Sequence, residues 1–287
     1  MNAEQYCREK AAARGSSLHY TLRFAERDRQ PALYALHAFH AEVMSAGREI
    51  SEPAVASVKL NWWREELERL FRGEGRHPVS QALAPALERY NLPREYFEEM
   101  IQAAQTDLDY NAYPDFKALS LYCHRAGGAL QELLVEVNGY RNRETSRYAH
   151  DLGMALQLGE ILRRVRQDAL VGRVYLPEDE MRRVGIDRGE LLRPTTSDKL
   201  REFFALQADR IDDFTTQALQ RLAPEDARAQ RSGLIRLILQ RRLLDELRAE
   251  RFPLLDRGIH LTPLRKLWLA WRTARSPVRA RNKELAR

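Results

Sequence analysis

The sequence predicts an all-α fold on three observations. Apolar residues recur at spacings of three and four through most of the chain. The breaks between these runs carry helix stop and start signals. Alternating runs bounded by hairpin dipeptides, the mark of paired strands, are missing.

The runs predict helices over 30–49, 54–72, 79–90, 95–110, 115–138, 144–170, 197–221 and 229–251. Ser51-Glu52-Pro53 starts the second, Gly73-Glu74-Gly75 stops it, and Leu92-Pro93 restarts the chain before the fourth. The longest irregular stretch, 171–196, holds GRVYLP and turns at Gly185 and Gly189. No internal repeat or phosphate-cradling glycine motif interrupts this pattern. One helical domain over 1–263 is the simplest architecture, followed by a basic amphipathic segment over 264–287.

Composition narrows the function classes. The chain has 287 residues, 44% hydrophobic and 31% charged, enough to bury a sizeable core. No run of about 18 apolar residues predicts a membrane-crossing helix. The polar start, MNAEQYCREKAAARG, predicts a cytoplasmic protein. Cys7 and Cys123 are far apart and predict reduced thiols. The net charge is +6, and residues 265–287 alone carry eight bases against one acid. The remainder is therefore near neutral, which argues against a nucleic-acid groove. In the same tail Leu264, Leu267, Trp268 and Trp271 alternate with Arg265, Lys266, Arg272 and Arg275. That pattern suits a helix lying on an anionic membrane, at the inner face for a cytoplasmic protein, or a terminal helix that buries its tryptophans.

Two stretches carry chemistry. His37 and His40 sit three apart, but without a third ligand at helical spacing they read as ordinary helix histidines rather than a metal pair. Glu160, Arg164 and Asp168 are four apart and line one helix face, the spacing of an ion-pair stripe. Arg163 and Arg173 straddle the end of that helix, where two guanidinium forks can grip a phosphate.

Taken together, VASVKLNWWREELERLF, HPVSQALAPAL, DLDYNAYPDF, YCHRAGG, ALQLGEILRRV and DALVGRVYLP resemble the squalene/phytoene synthase family, nearest its bacterial presqualene diphosphate synthase branch. The resemblance implies an isoprenoid synthase fold around a central cavity. It also implies two facing aspartate-rich motifs that hold Mg²⁺ on prenyl diphosphates, whose departing pyrophosphate needs that charge neutralised. On this resemblance Tyr122 takes the position of a catalytic tyrosine. Ser17, Gln157, Arg163 and Arg173 take pocket positions, the arginines as diphosphate contacts.

The metal motifs depart from the family. The first, Asp-Asp-x-x-Asp, falls on Met44-Ser45-Ala46-Gly47-Arg48, with Ala41 where an arginine is expected. The second keeps only Asp168. Arg164 replaces its first acid, and Glu160 an upstream asparagine. Four lost aspartates and two gained cations change the local charge by about six units, and like charges a few ångströms apart oppose a divalent ion by several kcal/mol. Glu42, Glu49, Glu160 and Asp168 are the acids left nearby. No metal or other cofactor is expected unless the protein is active, when Mg²⁺ would be needed. Ser45, Ala46 and Gly47 read as residues freed from ligand geometry. Arg48 is expected either to pair with Asp168 or Glu160 across the old mouth, or to join Arg163, Arg164 and Arg173 in a metal-free anion site.

Three functions follow from the resemblance. The first is a non-catalytic protein that binds a prenyl lipid, or no lipid, and acts with a protein partner in an assembly or regulatory role, as in the family's mitochondrial assembly factors. The second is an active head-to-head prenyl diphosphate transferase in presqualene diphosphate, squalene or phytoene synthesis. The third is a different reaction in the same cavity.

Overall fold

The computed structural model describes residues 2–48 and 52–287. Glu49 and Ser51, which the sequence assigns to the remaining acids and to a helix start, lie outside the described residues. The first half of the chain runs α1 (Ala3–Ala11), α2 (Ser17–Leu22), α3 (Gln30–Arg48), α4 (Pro53–Phe71), α5 (Pro78–Arg89) and α6 (Arg94–Asp109). After β1 (Ala112–Tyr113) come α7 (Phe116–Cys123), a π turn (His124–Gly128), α8 (Ala129–Asn138) and α9 (Glu144–Leu170). β2 (Val174–Pro177), α10 (Glu178–Arg183) and a 3₁₀ turn (Arg188–Leu192) lead to α11 (Asp198–Arg221), α12 (Arg231–Ala249), α13 (Pro263–Arg275) and α14 (Pro277–Leu285).

The fold is all-α, and the ends of its helices follow local chemistry. Asn2, Ser16, Asp115, Ser197 and Thr262 each accept a hydrogen bond from a backbone N–H of the first turn they precede. Pro53, Pro78, Pro263 and Pro277 open their helices, where the missing N–H costs nothing. Two details differ from expectation. Residues 112–113 pair in parallel with 174–177, a short ladder inside a stretch read as irregular. The single run expected over 115–138 is broken by the π turn. There Gly127 and Gly128 meet α9 so closely that a Cβ on Gly153 would stand 2.5 Å from the Cα of Gly128. The wider turn of a π helix accommodates this contact.

α9 is the central helix. It packs against α8, the π turn, α11 and α12, while α3 packs against α1, α5, α6 and α8. One apolar core gathers α1, α3–α8, most of α11 and the C-terminal half of α9, and a second joins the N-terminal half of α9 to the end of α11, to α12 and to α13. α13 buries Leu269 and Ala270 in the second core but leaves Leu264 79%, Trp268 50% and Trp271 48% exposed. Of the two readings of the tail, burial of the tryptophans is therefore set aside. The chain beyond it continues as α14, anchored by buried Glu284 in an ion pair with Arg242.

One half-buried acid makes stability depend on pH. Burial, and then Glu136 one turn away on α8, push the Glu132 carboxyl up to about 7 from its ordinary 4.5. The folded chain keeps this proton in a window where the unfolded chain has released it. This contribution is fully present below about 4.5 and is lost as pH rises through about 7. Glu132→Gln is expected to raise the melting temperature at pH 8 by a few degrees and to change it little at pH 5. Equal shifts at both pH values would contradict the assignment.

Candidate functional site

A cavity of about 520 Å³ opens between α2, α3, the π turn, α8, α9, α12 and the start of α13. Its volume lies within the roughly 300–1,000 Å³ typical of small-molecule sites. Leu239, Leu243, Leu244 and Leu247 from α12, with Leu156 and Leu130, supply an apolar wall. Ser17, His40, Gln157, Glu160, Arg163 and Lys266 contribute polar groups. Of the residues the resemblance assigns to the pocket, Ser17, Gln157 and Arg163 thus line one space, although they come from two distant helices. Arg163 is engaged there by Glu160, with Nη2 2.6 Å from Oε1.

Arg48 also borders the cavity, but its charge is spent beneath it. Its Nε lies 3.4 Å from Asp107 Oδ2, and its Nη2 donates to the Tyr122 hydroxyl at 2.9 Å. Tyr122 in turn donates to Asp107 at 3.0 Å, and Tyr175 donates to the other carboxylate oxygen at 2.6 Å. Burial alone would lower the Arg48 guanidinium, but Tyr122, Asp107 and Tyr175 outweigh it and hold it well above its ordinary value. Burial raises the Tyr122 phenol, against the pull of Arg48, so it stays protonated. Tyr113 and Tyr175 pack against its ring.

This geometry corrects several expectations. Arg48 pairs with Asp107, not with Asp168 or Glu160. The reason is the close crossing of α3 and α6, where a Cβ on Gly47 would stand 2.6 Å from the Ala104 carbonyl oxygen and 3.2 Å from the Asp107 Cβ. Gly47 is therefore required by packing and is not a slack position, and Ser45 and Ala46 are buried beside it. Asp168 is engaged within its own helix by Arg164 at 3.6 Å, and burial raises its carboxyl. Arg164 and Arg173 do not line the main cavity among the described residues. Arg164 lies along α9 between Glu160 and Asp168, and Arg173 donates to the Gly47 carbonyl beside a void of about 10 Å³. The four arginines accordingly do not converge on one anion.

Of the other candidates, Met44, Ser45 and Glu42 do not line the cavity, and His40 does so with its ring already engaged. Met44 is buried in the core. Ser45 donates to the Glu42 carbonyl at 2.9 Å. Glu42 accepts from Tyr6 at 2.6 Å and pairs with Lys10 at 3.0 Å. His40 is held at 2.7 Å from the Ala126 carbonyl, and burial pushes it down to about 4. Three participants escaped the sequence reading. Asp107 and Tyr175 sit inside quoted stretches with no spacing that links them to Arg48. Arg236 left a usable signal, a lone cation within the apolar run GLIRLIL.

Comparison with known proteins decides the family. The squalene/phytoene synthase model matches residues 11–265. The chain belongs to the squalene/phytoene synthase family. It is 32% identical over 266 residues to a phytoene synthase of Mycobacterium tuberculosis, covering 91% of this chain and 86% of that protein. It is 29% identical to the 15-cis-phytoene synthase of Synechococcus elongatus, covering 92% and 90%. In fold it matches a dehydrosqualene synthase solved with a ligand, at a TM-score of 0.86 and 20% identity over 98% of this chain and 96% of that one. The squalene synthase HpnC from Alicyclobacillus acidocaldarius superposes at 0.78, with 23% identity over 87% and 94%. Family and relatives together point to a phytoene/squalene synthase-type prenyltransferase.

The described side chains do not fit the Mg²⁺ that the resemblance implies. Mg²⁺ demands several oxygen ligands in near-octahedral geometry. Among the described residues no group of three or more histidine, cysteine or acidic side chains could hold a metal. Asp168 and Asp107 each already face an arginine.

Proposed function

We propose that the protein binds a prenyl diphosphate in this cavity, with the chain along the leucines of α12, and that the family's metal-assisted ionisation does not take place at its usual motifs. One contrast carries this reading. The apolar cavity is retained, while the motif positions are occupied by the Arg48–Asp107 and Arg164–Asp168 ion pairs. Such a protein would serve as a lipid-binding assembly or regulatory factor. Prenyl transfer is the second reading, favoured by 32% identity to a phytoene synthase along 91% of the chain and by the retained Tyr122.

The reading extends to a peripheral seat at the cytoplasmic face of a membrane. Leu264, Trp268 and Trp271 stand exposed on α13, with the Arg272 guanidinium 4.6 Å and that of Arg275 5.7 Å from their indole rings. Apolar and amphipathic rings beside basic groups suit an anionic lipid surface. Leu261 and Lys266, on or next to the same helix, border the cavity, which gives an apolar ligand a short path from lipid to pocket.

Incubation with farnesyl diphosphate and Mg²⁺, with pyrophosphate release and product mass as readouts, separates the two readings. Arg163→Ala is the suitable control, because Arg163 lines the cavity whereas Arg173 braces Gly47. The expected result is no Mg²⁺-dependent release, with farnesyl diphosphate bound in a competition assay. Mg²⁺-dependent release that falls in Arg163→Ala would establish prenyl transfer instead.

A further inference from the structure

The cation that matters most in the cavity is one that the family resemblance does not assign. α12 reads Gly233-Leu234-Ile235-Arg236-Leu237-Ile238-Leu239, and every neighbour of Arg236 in this run is buried. Arg236 borders the main cavity and a small void of about 10 Å³ lined by His37, Gln131 and Asn138. Among the described residues it makes no ion pair, and its buried Nη1 has no hydrogen-bond partner.

The other cations of this region are offset. Arg48 has Asp107, Arg163 has Glu160, Arg164 has Glu160 and Asp168, Arg173 has the Gly47 carbonyl, and Lys266 donates to the Gly15 carbonyl at 3.3 Å. Among the described residues no acid pairs with Arg236, and the groups that act on it are Tyr148 and Glu160. His37 and His40 on α3 are held neutral by burial, with Arg236 adding to the effect. The Tyr148 phenol on α9 is raised by burial and so remains uncharged, and Glu160 is already clasped by Arg163. Burial lowers Arg236 to about 10, leaving it charged at neutral pH. A buried charge with no partner is costly, and proteins retain one where a ligand completes it.

A second donor points the same way. Gln157 lines the cavity, and its buried Nε2 has no acceptor. Both groups offer N–H and want oxygen. Arg236, Leu239, Leu243 and Leu247 follow at spacings of three and four, so one face of α12 presents a cation and then an apolar stripe. At 1.5 Å per residue that face runs about 16 Å. It is complementary to an amphiphile with an anionic head and a long apolar chain.

We propose that Arg236 and Gln157 form a metal-free anion site that holds the phosphate oxygens of a prenyl diphosphate inside the cavity. The inference rests on the prenyl-binding reading for the chain, whereas the anion site can be tested on its own. The guanidinium fork grips phosphate in two-point geometry, and the Gln157 amide adds a third donor. The charge that Mg²⁺ would neutralise in the family is met here by a fixed guanidinium, which binds the head without placing a metal on it.

The test measures binding of farnesyl diphosphate, farnesol and inorganic pyrophosphate in EDTA, using the wild type, Arg236→Met and Arg236→Lys. Arg236→Met is expected to weaken farnesyl diphosphate about tenfold or more, the scale of a lost charged hydrogen bond, and to leave farnesol unchanged. Its ligand-free melting temperature is expected to match or exceed that of the wild type, since an uncompensated charge is removed. Arg236→Lys, which keeps the charge and loses the fork, should fall between the two and serves if the methionine variant does not fold. Farnesyl diphosphate bound equally by wild type and both variants would overturn the site while leaving prenyl binding intact. Pyrophosphate held in an Arg236-dependent way, with farnesol and farnesyl diphosphate gaining nothing from the chain, would keep the site and overturn prenyl binding. Failure of the wild type to bind any of the three would overturn both.

Discussion

Arg48→Met is expected to cost about 3–5 kcal/mol of stability, the range for removing one partner of a buried ion pair. The Asp107 side chain is wholly buried, and its carboxylate is satisfied by Arg48 together with the hydroxyls of Tyr122 and Tyr175. Without Arg48 that carboxylate keeps two neutral donors and loses its countercharge. Desolvation then goes unrepaid, and the helices α3 and α6 that hold the pair are separated by the strain. Asp107→Asn in the same chain removes the charge that Arg48 balances, so the double variant should recover much of the loss. Urea denaturation of the wild type, both single variants and the double variant gives the coupling directly. A loss below about 1 kcal/mol for Arg48→Met would show that water reaches Asp107 and that the network is not a structural substitute for a metal cluster.

Gly153→Ala should be nearly as damaging, although the same change in an exposed helix interior stabilises by about 1 kcal/mol. The added Cβ would lie 2.5 Å from the Gly128 Cα and 2.7 Å from the Gly128 nitrogen. Both obstacles are backbone, so no side chain can turn aside. α9 must move away from the π turn, with a penalty on the order of 3 kcal/mol for overpacking. Gln157, one turn along α9, and Gly127 both line the cavity, so the displacement also changes its shape. Thermal unfolding and farnesyl diphosphate binding should fall together. A stable variant with unaltered binding would mean that this helix crossing is slack.

These two positions mark how far local patterns carry. Apolar spacing predicted α9 over 144–170, the range the helix occupies, because its buried stripe and its neighbours' punctuation are local properties. The family likeness was legible for the same reason, and Ser17, Gln157 and Arg163, which it assigns to a pocket, line one cavity.

Partnership was not legible. Nothing about Arg48 indicates that its counterion is 59 residues downstream, or that Gly47 permits the approach. Helical periodicity says which face of a segment is buried but not which other segment covers it, and ion pairs depend on the covering segment. The exposure of Trp268 and Trp271 had two readings until α12 was seen to cover the opposite face of α13. Arg236 shows the limit most sharply. Its oddness within an apolar run is visible in one dimension, whereas its lack of a partner is a property of every element packed around it. Residue chemistry and spacing set the helices and the family. Packing between distant helices set which charges find a partner among the described residues and which do not, because electrostatic balance is decided by neighbours in space.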